Sequence, residues 1–102
     1  MGLIDVIAGR PEQTTHADAV AHGGRGVTVY WRPGCPFCSR LRFAVRKDRG
    51  SITWVNIWQD DEARAFVASV NNGNETVPTV VIDDVPHTNP DPSVVMRALD
   101  AA

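Results

Sequence analysis

No uninterrupted apolar run in this sequence exceeds a few residues, far short of the roughly 20 that a membrane-crossing helix needs. The opening Met1-Gly2-Leu3-Ile4-Asp5 has neither the basic stretch nor the apolar stretch of a secretory leader, and Val6 stands where a myristoylation signal has Ser or Thr. No membrane association is expected, and the cytoplasm is the expected location. A dominant charge is lacking too: ten Lys and Arg against twelve Asp and Glu leave a formal net charge of −2, with no basic block to act as a footprint for nucleic acid. Nucleic-acid binding is not expected. Cysteine is scarce, with only Cys35 and Cys38, and a bridge between residues so close closes too small a loop to constrain the chain. A disulfide scaffold is excluded, so the value of the pair is chemical or metal-binding. Repeats and low-complexity tracts are absent as well.

What remains is enough for one domain, since 102 residues with 43% apolar content sit at the usual size of a single core. Residues 1–25, punctuated by Gly9, Pro11 and His22-Gly23-Gly24 and weak in apolar periodicity, read as an extension, flexible or with a short helix over residues 11–21. The domain proper spans residues 26–102. Val27-Thr28-Val29-Tyr30-Trp31 is a β-branched and aromatic run ended by Arg32-Pro33-Gly34, a strand and a tight turn. Pro36 suits a first helical position and Leu41, Ala44 and Val45 share one face, which predicts a helix over residues 36–49 stopped by Gly50.

A second strand is expected over residues 51–58, with Trp54 and Trp58 on one face and packing as their default role. Asp60, Asp61 and Glu62 then crowd a helix start whose apolar face carries Ala63, Phe66, Val67 and Val70. Asn71-Asn72-Gly73-Asn74 is a turn before strands over residues 79–82 and 85–88, and Asp91 as N-cap with Pro92 at the first position opens a terminal helix. The order β-α-β-α-β-β-α implies an α/β fold: a parallel pair joined by a right-handed crossover, then a hairpin and a helix.

The chemistry concentrates where the first strand gives way to its helix. A sulfur at Cys35 lies among helix N-terminal N–H groups without intrahelical partners, which favour a thiolate, so Cys35 is the expected nucleophile. Cys38, one turn on and pointing further into the helix, fits a less exposed resolving thiol. Pro36 removes an N–H and stiffens the turn, and Phe37 sets an apolar surface beside the sulfur. Two other readings stand beside this one at the level of residues: zinc held by Cys35 and Cys38 with His16 and His22, and a pair of buried unreactive cysteines. Val77-Pro78 is a second signal, because a proline opening an apolar strand removes a ladder donor.

Together, Tyr30-Trp31-Arg32-Pro33-Gly34-Cys35-Pro36-Phe37-Cys38-Ser39-Arg40 and the later Thr76-Val77-Pro78 resemble the glutaredoxin family over roughly residues 26–102. The resemblance implies a thioredoxin-like fold, a central four-stranded mixed sheet flanked by about three helices. It implies that Cys35 attacks mixed disulfides between a protein and a low-molecular-weight thiol, and that Pro78 is cis and faces that sulfur. Arg32 stands where the family commonly has Lys to meet a carboxylate of the bound thiol, and Thr76 and Val77 would border it, Val77 through backbone hydrogen bonds. Arg32 as a solvated loop charge and Asn89 as a turn residue before Pro90 are the plain alternatives.

Glutathione-using members carry Gly-Gly followed by a pair such as Ser-Asp downstream, where this chain has Thr88-Asn89-Pro90-Asp91. That segment, with residues 69–80, is similar to the actinobacterial mycoredoxins, which use mycothiol, and a basic complement of nine Arg with Lys47 alone agrees with such a source. Gly34 and Pro36 differ from the Trp and Gly common at those mycoredoxin positions. The resemblance thus implies a monomeric enzyme with no bound cofactor, mycothiol or glutathione as co-substrate, and S-thiolated proteins as clients. A thiol or thioredoxin reductase is a further partner under the alternative of a dithiol electron donor, whose Trp-Ser-Gly-Phe-Arg-Pro signature is missing here. A metal or iron–sulfur carrier is the remaining alternative, opposed by Pro36 and Cys38 where cluster-binding members have Gly and Ser.

Overall fold

The run Val27–Trp31 forms an inner strand of the sheet because both of its faces are apolar enough to be covered; four of its five residues are buried. The computed structural model describes residues 14–21 and 26–101. Along the chain come α1 (His16–Ala21), β1 (Val27–Trp31), α2 (Pro36–Ala44), a 3-10 segment (Arg46–Ser51), β2 (Ile52–Asn56), a 3-10 turn (Ile57–Gln59), α3 (Asp61–Val70), β3 (Thr79–Ile82), β4 (Val85–Thr88) and α4 (Pro92–Ala101). The sheet order is β2-β1-β3-β4. β1 runs parallel to β2 and antiparallel to β3, with Val29 beside Trp54 on one side and Val80 on the other, and β3 continues antiparallel into β4.

The alternation of β1 assigns the layers. Val27 lies with Ile82 beside Ala98 and Leu99 of α4, which also contacts α2. Tyr30, on the opposite face, meets Phe66 of α3 and His16 of α1. The fully buried side chains Leu41, Val29, Val45, Val67, Val80 and Val95 come from strands and helices of both layers. Each of that size adds about 1.5–3 kcal/mol of burial free energy.

Three elements differ from the sequence-based expectation. The helix expected through residue 49 ends at Ala44, and Arg46–Ser51 continues as a 3-10 segment with a non-helical residue at Asp48. Val45 is the last apolar residue of that face, and the charged run after it has nothing to pack on the sheet. The strand expected through residue 58 ends at Asn56, whose side chain accepts the Trp58 N–H at 2.9 Å and turns the chain. Trp54 and Trp58 therefore do not share a face: Trp54 is buried and Trp58 is 54% exposed. Of the helix expected over residues 11–21 the described part is α1, while Pro11, His22 and Gly23 lie outside the described residues.

α1 is tied to the sheet by its first turn. Thr14 N–H bonds to the Trp54 carbonyl at 2.9 Å, and His16 N–H to the Asp60 carboxylate at 2.7 Å. The His16 ring stacks on Phe66 and shares a 2.8 Å hydrogen bond with the Tyr30 hydroxyl. Burial, helped by the charge of Asp60, pushes the Tyr30 phenol up to about 12, so it holds its proton at neutral pH within this contact.

Candidate active site

The turn after β1 is made for a sharp reversal. Gly34 takes a left-handed φ of +75°, open to glycine without strain, and Cys35 follows in extended geometry (φ −95°, ψ 112°) as the N-cap of α2. Pro36 occupies the first turn, where its missing N–H leaves nothing unpaired. The Cys38 N–H therefore points back at the Cys35 sulfur, 3.2 Å away, while Ser39 N–H takes the Cys35 carbonyl at 3.0 Å. A helix N-terminus aimed at a sulfur favours negative charge there.

Both thiols are free, and both are buried. Cys35 was expected to be the more exposed of the two, yet Cys35 is 3% and Cys38 5% exposed. The reason is tertiary: the Cys35 thiol turns toward the Val77 carbonyl, 3.7 Å away, under the loop that opens β3. Burial pushes the Cys38 thiol up to about 12, and its contact with the Cys35 sulfur adds to this, while the peptide group and charge of Arg32 pull the other way. Cys38 stays protonated at neutral pH.

The Val77–Pro78 bond is cis, as the family resemblance implied, and both residues are buried. Pro78 O accepts the N–H of Asn89 at 2.8 Å, so the two loops expected to border a substrate meet, with Asn89 in left-handed geometry (φ +44°). Thr76 belongs to the same edge, where its carbonyl accepts the Thr79 hydroxyl at 2.7 Å. Phe37, 53% exposed, and Pro36, also exposed, lie on the solvent side of the Cys35–Cys38 turn. Arg32 folds back so that one guanidinium nitrogen donates to Pro33 O at 3.1 Å, and its guanidinium carbon lies 5.7 Å from the Trp58 ring centroid. Arg32, Pro36, Phe37, Thr76, Val77, Pro78 and Asn89 thus gather with the two cysteines at one end of the sheet, where β1 ends, β3 begins and β4 ends. Arg40 is instead engaged with Asp91 at 3.6 Å on the exposed α2–α4 surface.

Two contributors escape sequence reasoning. Trp58, read as a packing residue, supplies the ring beside Arg32; its signal was hidden by the overlong strand. Asn71, read as part of a turn, sends its side chain into the interior and bonds to Val67, Thr79 and Thr88. Of the histidines considered for metal binding, His16 is engaged with Tyr30 and Phe66, and His22 lies outside the described residues. Among the described residues no group of three or more His, Cys, Asp and Glu gathers as a metal site would require, and no helix is long and apolar enough to cross a membrane.

Residues 27–87 match the glutaredoxin family model. The chain is 38% identical over 76 residues to mycoredoxin 1 of Corynebacterium glutamicum, covering 74% of this chain and 94% of that protein. It is 41% identical over 58 residues to a Mycobacterium tuberculosis protein described as a glutaredoxin, covering 57% and 69% of the two chains. A glutaredoxin of Haemophilus influenzae is 32% identical over 66 residues, 59% of this chain and 76% of that one. The crystal structure of the thioredoxin-like protein BC3987 superposes with a TM-score of 0.60 at 22% identity, over 72% of this chain and 97% of that one, a likeness of fold.

Proposed function

Because the chain belongs to the glutaredoxin family and is a thiol–disulfide oxidoreductase, we propose that it reduces mixed disulfides between proteins and mycothiol through Cys35. The observation that carries this reading is the Cys35 sulfur set between the Cys38 N–H at 3.2 Å and the Val77 carbonyl at 3.7 Å. One contact suits an attacking thiolate; the other brings that sulfur to a backbone edge along which a substrate can lie as an added strand.

In the reaction, Cys35 thiolate attacks the sulfur of the mixed disulfide that belongs to mycothiol. A Cys35–mycothiol disulfide forms, and the client cysteine leaves as a thiolate that takes up a proton from solvent. A second mycothiol thiolate then attacks the mycothiol sulfur of that adduct, releasing mycothiol disulfide and restoring Cys35 thiolate. Cys38 performs the same release from within the chain only after losing its proton, giving a Cys35–Cys38 disulfide and free mycothiol. Burial raises the Cys38 thiol and so works against that internal release, which favours the external thiol for this step.

Arg32 offers a cation to a carboxylate of the bound thiol, and Pro36, Phe37, Thr76, Val77, Pro78 and Asn89 line its approach. The choice of mycothiol over glutathione is supported by Thr88-Asn89-Pro90 and by the likeness to a mycoredoxin. In this reading the catalytic unit is residues 26–102, with residues 1–25 as an extension, and the protein works as a cytoplasmic monomer with no bound cofactor.

The test is de-mycothiolation of a client protein by the Cys35→Ser and Cys38→Ser variants, followed by mass. Loss of turnover in Cys35→Ser with retained turnover in Cys38→Ser is expected, and an active Cys35→Ser variant would sink the mechanism. A coupled assay with NADPH and thioredoxin reductase separates this reading from a directly reduced dithiol donor.

A further inference from the structure

We propose that Asn71 is a positioning residue for this exchange: its side-chain amide holds the Thr76–Pro78 loop so that the Val77 peptide group stands before the Cys35 sulfur. The inference rests on the reading of Cys35 as the attacking thiol. Asn71 closes the C-terminus of α3, where its own N–H bonds to the Ala68 carbonyl at 3.2 Å. It is 8% exposed, an unusual burial for an amide in a run that otherwise reads as a turn.

Every polar atom of that amide has a partner on a different element. Nδ2 donates to the Val67 carbonyl of α3 at 2.7 Å and to the Thr79 hydroxyl of β3 at 3.0 Å, and Oδ1 accepts the Thr88 hydroxyl of β4. The amide orientation follows from chemistry, because a carbonyl has no proton to give and the atom facing Val67 must be the NH2. Thr79 Oγ1, with its acceptor side used by Asn71, donates its own proton to the Thr76 carbonyl at 2.7 Å. The result is a directed relay of Thr88 to Asn71 to Thr79 to Thr76.

The relay ends one residue from the site. The Thr76 carbonyl is occupied by Thr79, and the Pro78 carbonyl by the N–H of Asn89, next to Thr88 at the other end of the relay. With the carbonyls on either side held by the protein, the Val77 carbonyl between them is the one turned to the Cys35 thiol. Each of these hydrogen bonds adds only about 0.5–1.5 kcal/mol of net stability. What the amide adds is placement, and in a reaction that aligns three sulfurs a small displacement of the docking edge is costly.

The test compares Asn71→Ala, Thr79→Val and Thr79→Ser in the full chain, with folding checked by near-UV circular dichroism. The substrate is a cysteine peptide in mixed disulfide with mycothiol. Asn71→Ala and Thr79→Val are expected to lose about tenfold in kcat/KM, mostly through KM, with Thr79→Ser close to wild type because it keeps the hydroxyl. The rate of Cys35 alkylation by iodoacetamide should rise in the same two variants, because the Val77 loop that covers the sulfur is no longer held. A KM within about twofold of wild type in folded Asn71→Ala or Thr79→Val overturns the inference alone. Should Asn71→Ala fail to fold, the Thr79→Val and Thr79→Ser pair decides. Wild-type protein inert toward this peptide overturns the proposed function and the inference with it.

Discussion

Cys35 Sγ and the backbone N–H of Cys38 lie 3.2 Å apart, so the first turn of one helix grips the first sulfur while it carries the second. The two thiols are thereby made chemically unequal, because Cys38 is buried against that sulfur and its thiol is pushed up to about 12.

Alkylation should report this inequality directly. The reduced native protein is expected to take up one equivalent of iodoacetamide at about pH 8, at Cys35, and a second only on unfolding. Peptide mapping that finds Cys38 modified first in the native protein would contradict it.

Alkaline stability follows from the same shift and from Tyr30. The Cys38 thiol moves from an ordinary 9.0 to about 12 and the Tyr30 phenol from 10.0 to about 12, burial being the main cause of each. Between these values the folded chain keeps protons that the unfolded chain has released, so the unfolded state binds fewer and stability falls as pH rises. The contribution is complete below about pH 9 and is lost as pH climbs toward about 12. Thermal midpoints measured across that range should drop, with a shallower fall in Tyr30→Phe; a flat profile would be inconsistent with both shifts.

The attachment of α1 depends on Tyr30 and Asp60. Tyr30→Phe leaves the His16 ring nitrogen without its hydrogen-bond partner and should lower stability by about 1–2 kcal/mol in urea titration. Asp60→Ala should cost more, since its carboxylate takes both the His16 N–H at 2.7 Å and, as the N-cap of α3, the Ala63 N–H at 3.1 Å. Burial works against the charge of Asp60, yet these N–H groups hold its carboxyl below the usual range, so its contribution is present above that range and fades on acidification. Faster amide exchange over residues 17–21 in both variants would locate the loosening.

Arg32 gives an electrostatic prediction. Arg32→Gln should raise KM for a carboxylate-bearing thiol about three- to tenfold, with the difference from wild type shrinking as salt screens the half-buried charge. A salt-independent change would point instead to lost packing against Trp58.

Much of the site was legible because it is local. Gly34, Cys35, Pro36 and Cys38 belong to one strand-to-helix turn, and the residue types that allow a left-handed turn, an N-cap and a first helical proline announce themselves in order. The expected strand ends were less legible, since Asn56 can sit in a strand or cap a turn, and only its bond to Trp58 N–H shows which. Asn71 gave no signal of its own: Asn-Asn-Gly reads as a solvated turn whether or not the first side chain points inward.

By itself the sequence determined the strand and helix order, the family, and the cysteine turn, because periodicity, capping and turn chemistry act over a few neighbouring residues. Tertiary structure alone decided that Val77, 42 residues from Cys35, would meet its sulfur, that both cysteines would be buried, and that Asn71 would join α3, β3 and β4. These contacts depend on how strands register and layers close, which no local pattern specifies.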